Sequence, residues 1–148
     1  ALASAMGGMV ITSAGTGIGH ALAQALGAET TIPHGFGVGA FLPWVLRLNR
    51  VAAGDKLARL ADCFPSSERG QPNSCRVDGL IQRIADFYRN IGFDPRTIRN
   101  YFAEREIDFK KLARATLKQP PARLNPARTT EADVEQAVRS LLETAGDE

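Results

Sequence analysis

Residues 15–49 read GTGIGHALAQALGAETTIPHGFGVGAFLPWVLRLN, and the fold turns on where this run bends. Apolar residues recur at helical spacing on both sides of a break. The spacing predicts a helix from about Gly17 to Leu26, with Gly27 well placed to end it, because glycine accepts the left-handed conformation that follows a helix. Pro33 then opens a new start, and a second helix is expected from Gly35 to about Asn49. That helix is apolar on nearly every side (Phe36, Val38, Phe41, Leu42, Trp44, Leu46), which predicts a central, buried position. Pro43 lies inside it, removes one backbone donor and should kink it. A helix, a short turn and a returning helix make an antiparallel pair.

The chain has two histidines, His20 and His34, and both fall in this run. On one unbroken helix, 14 residues at ~1.5 Å per residue would put them about 21 Å apart. With the break between them, both imidazoles can reach one point. Neutral imidazole is a common ligand for zinc and iron, so His20 and His34 are candidate metal ligands. Taken singly, each also reads as a core histidine satisfied by a backbone carbonyl, and at this level both readings stand. Two ligands do not complete a site, since zinc takes about four and a catalytic site keeps about three from protein. Between residues 1 and 54 the only carboxylate is Glu29. The missing ligands must come from Glu29, from a distant carboxylate such as Asp78 or Asp86, or from another chain.

Upstream, residues 1–28 carry no charged side chain. The segment is small rather than greasy and has no basic leader, so a tightly packed, buried helix pair is expected rather than a membrane span or signal peptide. A helix is predicted from Ala1 to about Ser13. Apolar sequence begins at residue 1 without an initiator methionine, which reads as the interior of a longer chain. The GTGIG and GFGVG runs are not G-x-G-x-x-G and follow no predicted strand. Gly15/Gly19 and Gly35/Gly39 are read instead as small pairs for close helix packing.

Downstream, Leu57, Leu60 and Phe64 mark a helix over about 51–64, and 64–74 reads as a loop. Leu80, Ile81, Ile84, Tyr88 and Ile91 form a stripe on a helix over about 75–91, closed by Gly92 and Pro95. Short helices are expected over about 96–103 and 108–118. Pro120, Pro121 and Pro126 predict an extended crossing. The last helix begins with Thr130 as N-cap and Asp133 as its capping-box partner, with Val134, Val138, Leu141 and Leu142 as the apolar face. No strand pattern is convincing. The expected fold is all-α, one multi-helix domain over residues 1–148.

Composition narrows the function. The 148-residue chain is 44% hydrophobic with a formal charge of +2, which suits a folded globular domain. No window is dense in Lys or Arg, which argues against nucleic acid as a partner. Cys63 and Cys75 suit a reduced cytoplasmic protein better than a disulfide scaffold.

The run over residues 15–49 resembles the second signature of iron-containing (group III) alcohol dehydrogenases. That signature is approximately G-x-x-H-x-x-x-H-x-x-G, a spacer, P-H-G, and an apolar helix ending L-P-x-V-x-x-x-N. Residues 125–134, NPARTTEADV, resemble the family's C-terminal Asn-Pro…Asp element. The resemblance implies the C-terminal helical domain of iron-containing alcohol dehydrogenases and dehydroquinate synthase-like proteins, with the α/β nucleotide-binding domain absent from this chain. It implies iron(II) or zinc held by an upstream Asp and His plus two histidines at the positions of His20 and His34, with NAD or NADP in the complete enzyme. A relay histidine common in the family is replaced by Gln24, which can hydrogen-bond but cannot shuttle a proton near neutral pH. Gln24 is thus the one catalytic candidate, and no residue here is assigned to cofactor binding.

The resulting expectation is part of an NAD(P)-linked, metal-dependent oxidoreductase of small alcohols or aldehydes, inactive without its nucleotide-binding domain or chain. Maleylacetate reductases and dehydroquinate synthase share the architecture, so the substrate does not follow. The rival is a non-enzymatic helical module whose histidines are structural. A homo-oligomer that buries the uncharged N-terminal surface is a third possibility.

Overall fold

The computed structural model describes residues 1–64, 70–102 and 106–143, and among these every regular element is helical. The helices are α1 (Leu2–Ala14), α2 (Ile18–Glu29), α3 (His34–Leu48), α4 (Gly54–Ala61), α5 (Asn73–Asn90), α6 (Phe109–Lys118) and α7 (Glu131–Glu143). Two 3-10 segments, Pro95–Tyr101 and Pro120–Leu124, link the later helices. The all-α expectation holds.

α2 is the centre of the domain. It packs against α3 on one side and α6 on the other, and α7 completes the layer against α6. Leu22, Leu26, Phe41, Leu112, Val134 and Val138 form the core between these helices. A smaller cluster of Leu46, Val77 and Ile81 joins α3 to α5.

The hairpin of α2 and α3 forms where expected, but by a different device. Gly27 does not end α2, which runs on to Glu29. Thr30 stops it instead, its hydroxyl and its N–H both reaching the Leu26 carbonyl at 2.8 Å. Backbone and side chain together satisfy a terminal acceptor, so the left-handed glycine is not needed. The close approach of the two helices is at Gly37, where a Cβ would lie 3.2 Å from the Ala23 Cβ and 3.6 Å from its Cα. Gly19 and Gly39 face Val45 and Phe93, whereas Gly35 faces open space, so the proposed packing pairs hold at one member only. Gly15 turns the chain between α1 and α2 at φ 72°, and the Leu124 side chain fills the place of its missing Cβ.

α3 runs through Pro43. Proline leaves the carbonyl four residues earlier, that of Gly39, without its helical donor. The Tyr88 hydroxyl of α5 supplies one at 2.8 Å. Burial raises the Tyr88 pKa, which keeps the phenol protonated as donor. α3 is less enclosed than expected: Gly37, Ala40, Phe41 and Leu46 are buried, while Trp44 and Leu42 are half-buried.

Several other expectations are corrected. α4 spans Gly54–Ala61 rather than 51–64, and it buries Ala58 and Ala61 while Leu60 and Phe64 stay exposed. In α5 the stripe shifts towards Val77, leaving Ile91 exposed. Pro120 and Pro121 open a 3-10 turn instead of an extended crossing, because proline is tolerated in the first turn of a helix, where its missing N–H costs nothing. The loop reading of 64–74 falls partly on residues outside those described. The capping box at Thr130 forms as expected, Thr130 N–H donating to Asp133 at 2.8 Å and Asp133 N–H to the Thr130 hydroxyl at 3.2 Å. The largest departure is α1, expected to be half of a buried pair. None of its residues is buried.

Candidate metal centre

His20 sits in the first turn of α2, three residues past the extended Gly17. His34 is the first residue of α3, directly after Pro33. The intervening turn, held by Thr30, lets the two rings meet across the α2–α3 pair. The Nε2 of His34 lies 3.2 Å from the Nδ1 of His20, and the ring centroids are 5.2 Å apart at an interplanar angle of 53°. His20 is half-buried and His34 exposed. The sequence-level proposition that both rings can reach one point is therefore met geometrically.

The donor set fits a shared divalent cation. Two nitrogens each ~2.1 Å from one ion, at ~90–110° to each other, stand about 3.0–3.4 Å apart. The observed separation falls inside that interval. Burial, and then the nearby His34, lowers the His20 pKa, which favours the neutral ring with an available lone pair. The same separation also suits an N–H···N hydrogen bond between rings in complementary tautomers.

Among the described residues no three His, Cys, Asp or Glu side chains come together. Glu29 pairs with Lys111 at 3.0 Å, Asp78 pairs with Arg50, and Asp86 with Arg89. The carboxylates considered as in-chain ligands are thus engaged elsewhere. Gln24 is exposed and lies one turn beyond His20 on α2, so it shares that helix face.

Two features behind the site were not read from the sequence. Asn49, just after α3, and Asn125 exchange reciprocal amide hydrogen bonds at 3.0 Å, and the Asn49 side-chain oxygen also accepts from Ala127 N–H at 2.9 Å. The Asn125 oxygen lies 3.2 Å from where a Gly17 Cβ would be. This amide pair ties the end of α3 to the segment at 125–127, which passes close beside Gly17 at the start of α2. Both asparagines stand in the quoted motifs, which was the available signal. Nothing in the sequence pairs Tyr88 with Gly39.

The fold and the paired imidazoles define an all-helical domain whose two histidine side chains meet at 3.2 Å. The family model for the C-terminal part of Fe-containing alcohol dehydrogenases matches residues 1–142. The chain belongs to that family. It is 31% identical over 142 residues to the 1,3-propanediol dehydrogenase of Citrobacter freundii, covering 96% of this chain and 36% of that protein. It is 30% identical over 99 residues to an NADPH-dependent butanol dehydrogenase of Clostridium saccharobutylicum, covering 67% of this chain and 25% of that one. The crystal structure of a 1,3-propanediol oxidoreductase superimposes with a TM-score of 0.78 at 27% identity, over 86% of this chain and 33% of that one. The chain therefore spans between about a quarter and just over a third of the length of these relatives.

Proposed function

We propose that this chain is the metal-binding helical domain of an NAD(P)-linked alcohol dehydrogenase, with His20 and His34 as two of the ligands to iron(II) or zinc. The observation that carries the proposal is the 3.2 Å approach of two imidazole nitrogens from opposite ends of a 14-residue separation. A divalent ion held there would polarise the oxygen of a small alcohol or aldehyde. The hairpin presets the two rings, so binding does not have to order them. Gln24 would orient an oxygen by hydrogen bonding without carrying its proton. The remaining ligands are an Asp and a His on an upstream helix, and the nicotinamide site belongs to a nucleotide-binding domain or chain, so residues 1–148 alone are inactive. The names of the relatives, a diol dehydrogenase and an NADPH-dependent butanol dehydrogenase, support the substrate and cofactor classes. Two free, exposed cysteines suit a reducing, cytoplasmic setting.

Metal titration of the purified chain tests this. One weakly held zinc or iron(II), lost in His34→Ala, is the expected result, together with no nicotinamide-linked turnover by the chain alone. Turnover by this chain alone, or metal binding indifferent to His34→Ala, would overturn it. The hydrogen-bonding geometry favours one alternative, structural histidines in a non-enzymatic module. In that case His34→Ala lowers stability and no metal binds.

A further inference from the structure

Towards the far end of α3 from His34, a cleft of about 430 Å³ opens between α3, α5 and the Pro95–Tyr101 segment. Its residues on α3, Pro43 and Arg47, stand roughly 14–20 Å along the axis from His34 at ~1.5 Å per residue, so the cleft is separate from the candidate metal centre. The floor is apolar: the rings of Pro43, Tyr88, Phe93 and Pro95 and the methyl of Ala85. Tyr88 and Phe93 meet edge to face with centroids 4.6 Å apart, and Phe36 backs Phe93 at 5.0 Å. The Tyr88 hydroxyl is spent on the Gly39 carbonyl, so the floor offers rings rather than a donor.

Three guanidinium groups stand around this floor, Arg47 from α3, Arg89 from α5 and Arg96 from the 3-10 segment. Two of them have carboxylate partners. Arg89 pairs with Asp86. Arg96 holds Asp94 through its backbone N–H at 2.9 Å and its Nε at 3.0 Å, and the side-chain bond keeps the Asp94 pKa low. Asp94 is the one carboxylate that lines the cleft, and it is charged but already matched. Arg47 is exposed and pairs with no carboxylate among the described residues. A cation in the last turn of a helix ordinarily serves the terminal carbonyls, and Arg47 stands in such a turn. There, however, the Asn49 N–H and side-chain amide serve the Val45 carbonyl, and the Arg50 N–H serves that of Arg47. The Arg47 side chain is not needed as their donor.

A dry floor with one unmatched cation at its edge suits an apolar body that carries a single anionic head. A bare inorganic anion would leave the floor in water, and a neutral ring would leave Arg47 unmatched. The volume lies in the lower part of the ~300–1,000 Å³ usual for small-molecule sites. Arginine is the cation whose planar fork fits a carboxylate with two parallel bonds.

We propose that the cleft between α3, α5 and the Pro95–Tyr101 segment binds a small aromatic carboxylate, its ring on Phe93 and the two prolines and its carboxylate on the Arg47 guanidinium. The proposal does not rest on the metal or on the role of the histidines.

The test is a titration of the full chain with benzoate at low ionic strength and near-neutral pH, in EDTA, followed by amide spectra. Saturable shifts are expected at Ala85, Gly92 and Phe93, with the His20 and His34 resonances unmoved. Benzyl alcohol, which has the ring without the charge, and acetate, which has the charge without the ring, should each bind at least about fivefold more weakly, the size expected for one partly exposed ion pair. Arg47→Leu should weaken benzoate by about fivefold, and Arg47→Lys should recover part of the loss, since lysine keeps the charge without the fork. Ala85→Leu fills the floor from α5 and should abolish the shifts while the α2 and α6 amides keep their positions. Arg47 is exposed, so its replacement decides the matter even where Ala85→Leu fails to fold. Benzyl alcohol or acetate binding as well as benzoate would overturn the proposal. So would benzoate binding unchanged by Arg47→Leu, or shifts centred on the histidines.

Discussion

Removing the Tyr88 hydroxyl tests how the α3 helix survives its internal proline. Phenylalanine at this position keeps the ring against Phe93, whose centroid is 4.6 Å away, and deletes only the donor to the Gly39 carbonyl at 2.8 Å. An intramolecular hydrogen bond is worth about 1 kcal/mol net, and a buried acceptor left unpaired costs about 1–3 kcal/mol. Tyr88 is half-buried, so water can reach the carbonyl in part, and the loss should be about 1 kcal/mol, near the bottom of that interval. For a domain of this size that is a fall in Tm of about 3 °C. Specificity comes from a second background. Pro43→Ala restores a backbone N–H to the helix, and that N–H can serve Gly39 itself. Tyr88→Phe should then cost roughly half as much or less, so the two changes couple by about 0.5–1 kcal/mol in a double-mutant cycle. Urea denaturation followed by circular dichroism gives all four values. An equal cost of Tyr88→Phe with and without Pro43 would refute the reasoning, because the hydroxyl would then be doing something other than replacing the proline's missing donor.

Other outcomes follow from the same contacts. Gly37→Val forces bulk into the α2–α3 approach beside Ala23 and should cost about 1–3 kcal/mol in denaturant melts, whereas Gly35→Ala meets open space and should be neutral or stabilising by up to ~1 kcal/mol. Asn49→Ala removes the donor to the Asn125 side-chain oxygen and the acceptor of the Ala127 N–H, while the Asn125 NH2 keeps the Ala127 carbonyl. It should cost about 2 kcal/mol in denaturant melts, because the end of α3 loses its bonds to the 125–127 segment. The Asp108 carboxylate accepts from the backbone N–H groups of Lys111 and Lys110, and these hold its pKa low against an opposing desolvation. A depressed folded-state pKa gives stability that is present above the unfolded value and lost as pH falls through the folded one. Acid unfolding below about pH 4 should therefore be shallower in Asp108→Asn, which keeps the cap without titrating; an unchanged slope would remove Asp108 from the account.

How much of this was legible in the sequence depended on whether the deciding contact was local. The capping box at Thr130 was legible because both partners lie within one turn. The hairpin was legible because Pro33 cannot continue a helix and the apolar spacing restarts after it. Its stopping device was misread. Gly27 carries the stronger general preference for a helix end, yet Thr30 could bond Leu26 through both its N–H and its hydroxyl. The glycine pairs were misassigned for a different reason. Which glycine meets another helix depends on the rotation of α2 against α3, and spacing alone does not fix that rotation, so Gly37 was missed and Gly35 overvalued. α1 reads as buried by composition because it carries no charge, yet none of its residues is buried in the fold. The histidine pair was legible as a possibility because there are two imidazoles and one break between them. The rest of a ligand set was not, since Glu29, Asp78 and Asp86 are held by cations elsewhere in the fold.

Nitrogen-15 spectra of the two imidazoles during zinc titration probe the shared-cation geometry itself. At saturation, one nitrogen of His20 and one of His34 should move together to the metal-bound position, with a common midpoint, and the His20 nitrogens should not move in the His34→Ala protein. Two rings that respond at different zinc concentrations, or a His20 response that persists without His34, would contradict a single ion held between them.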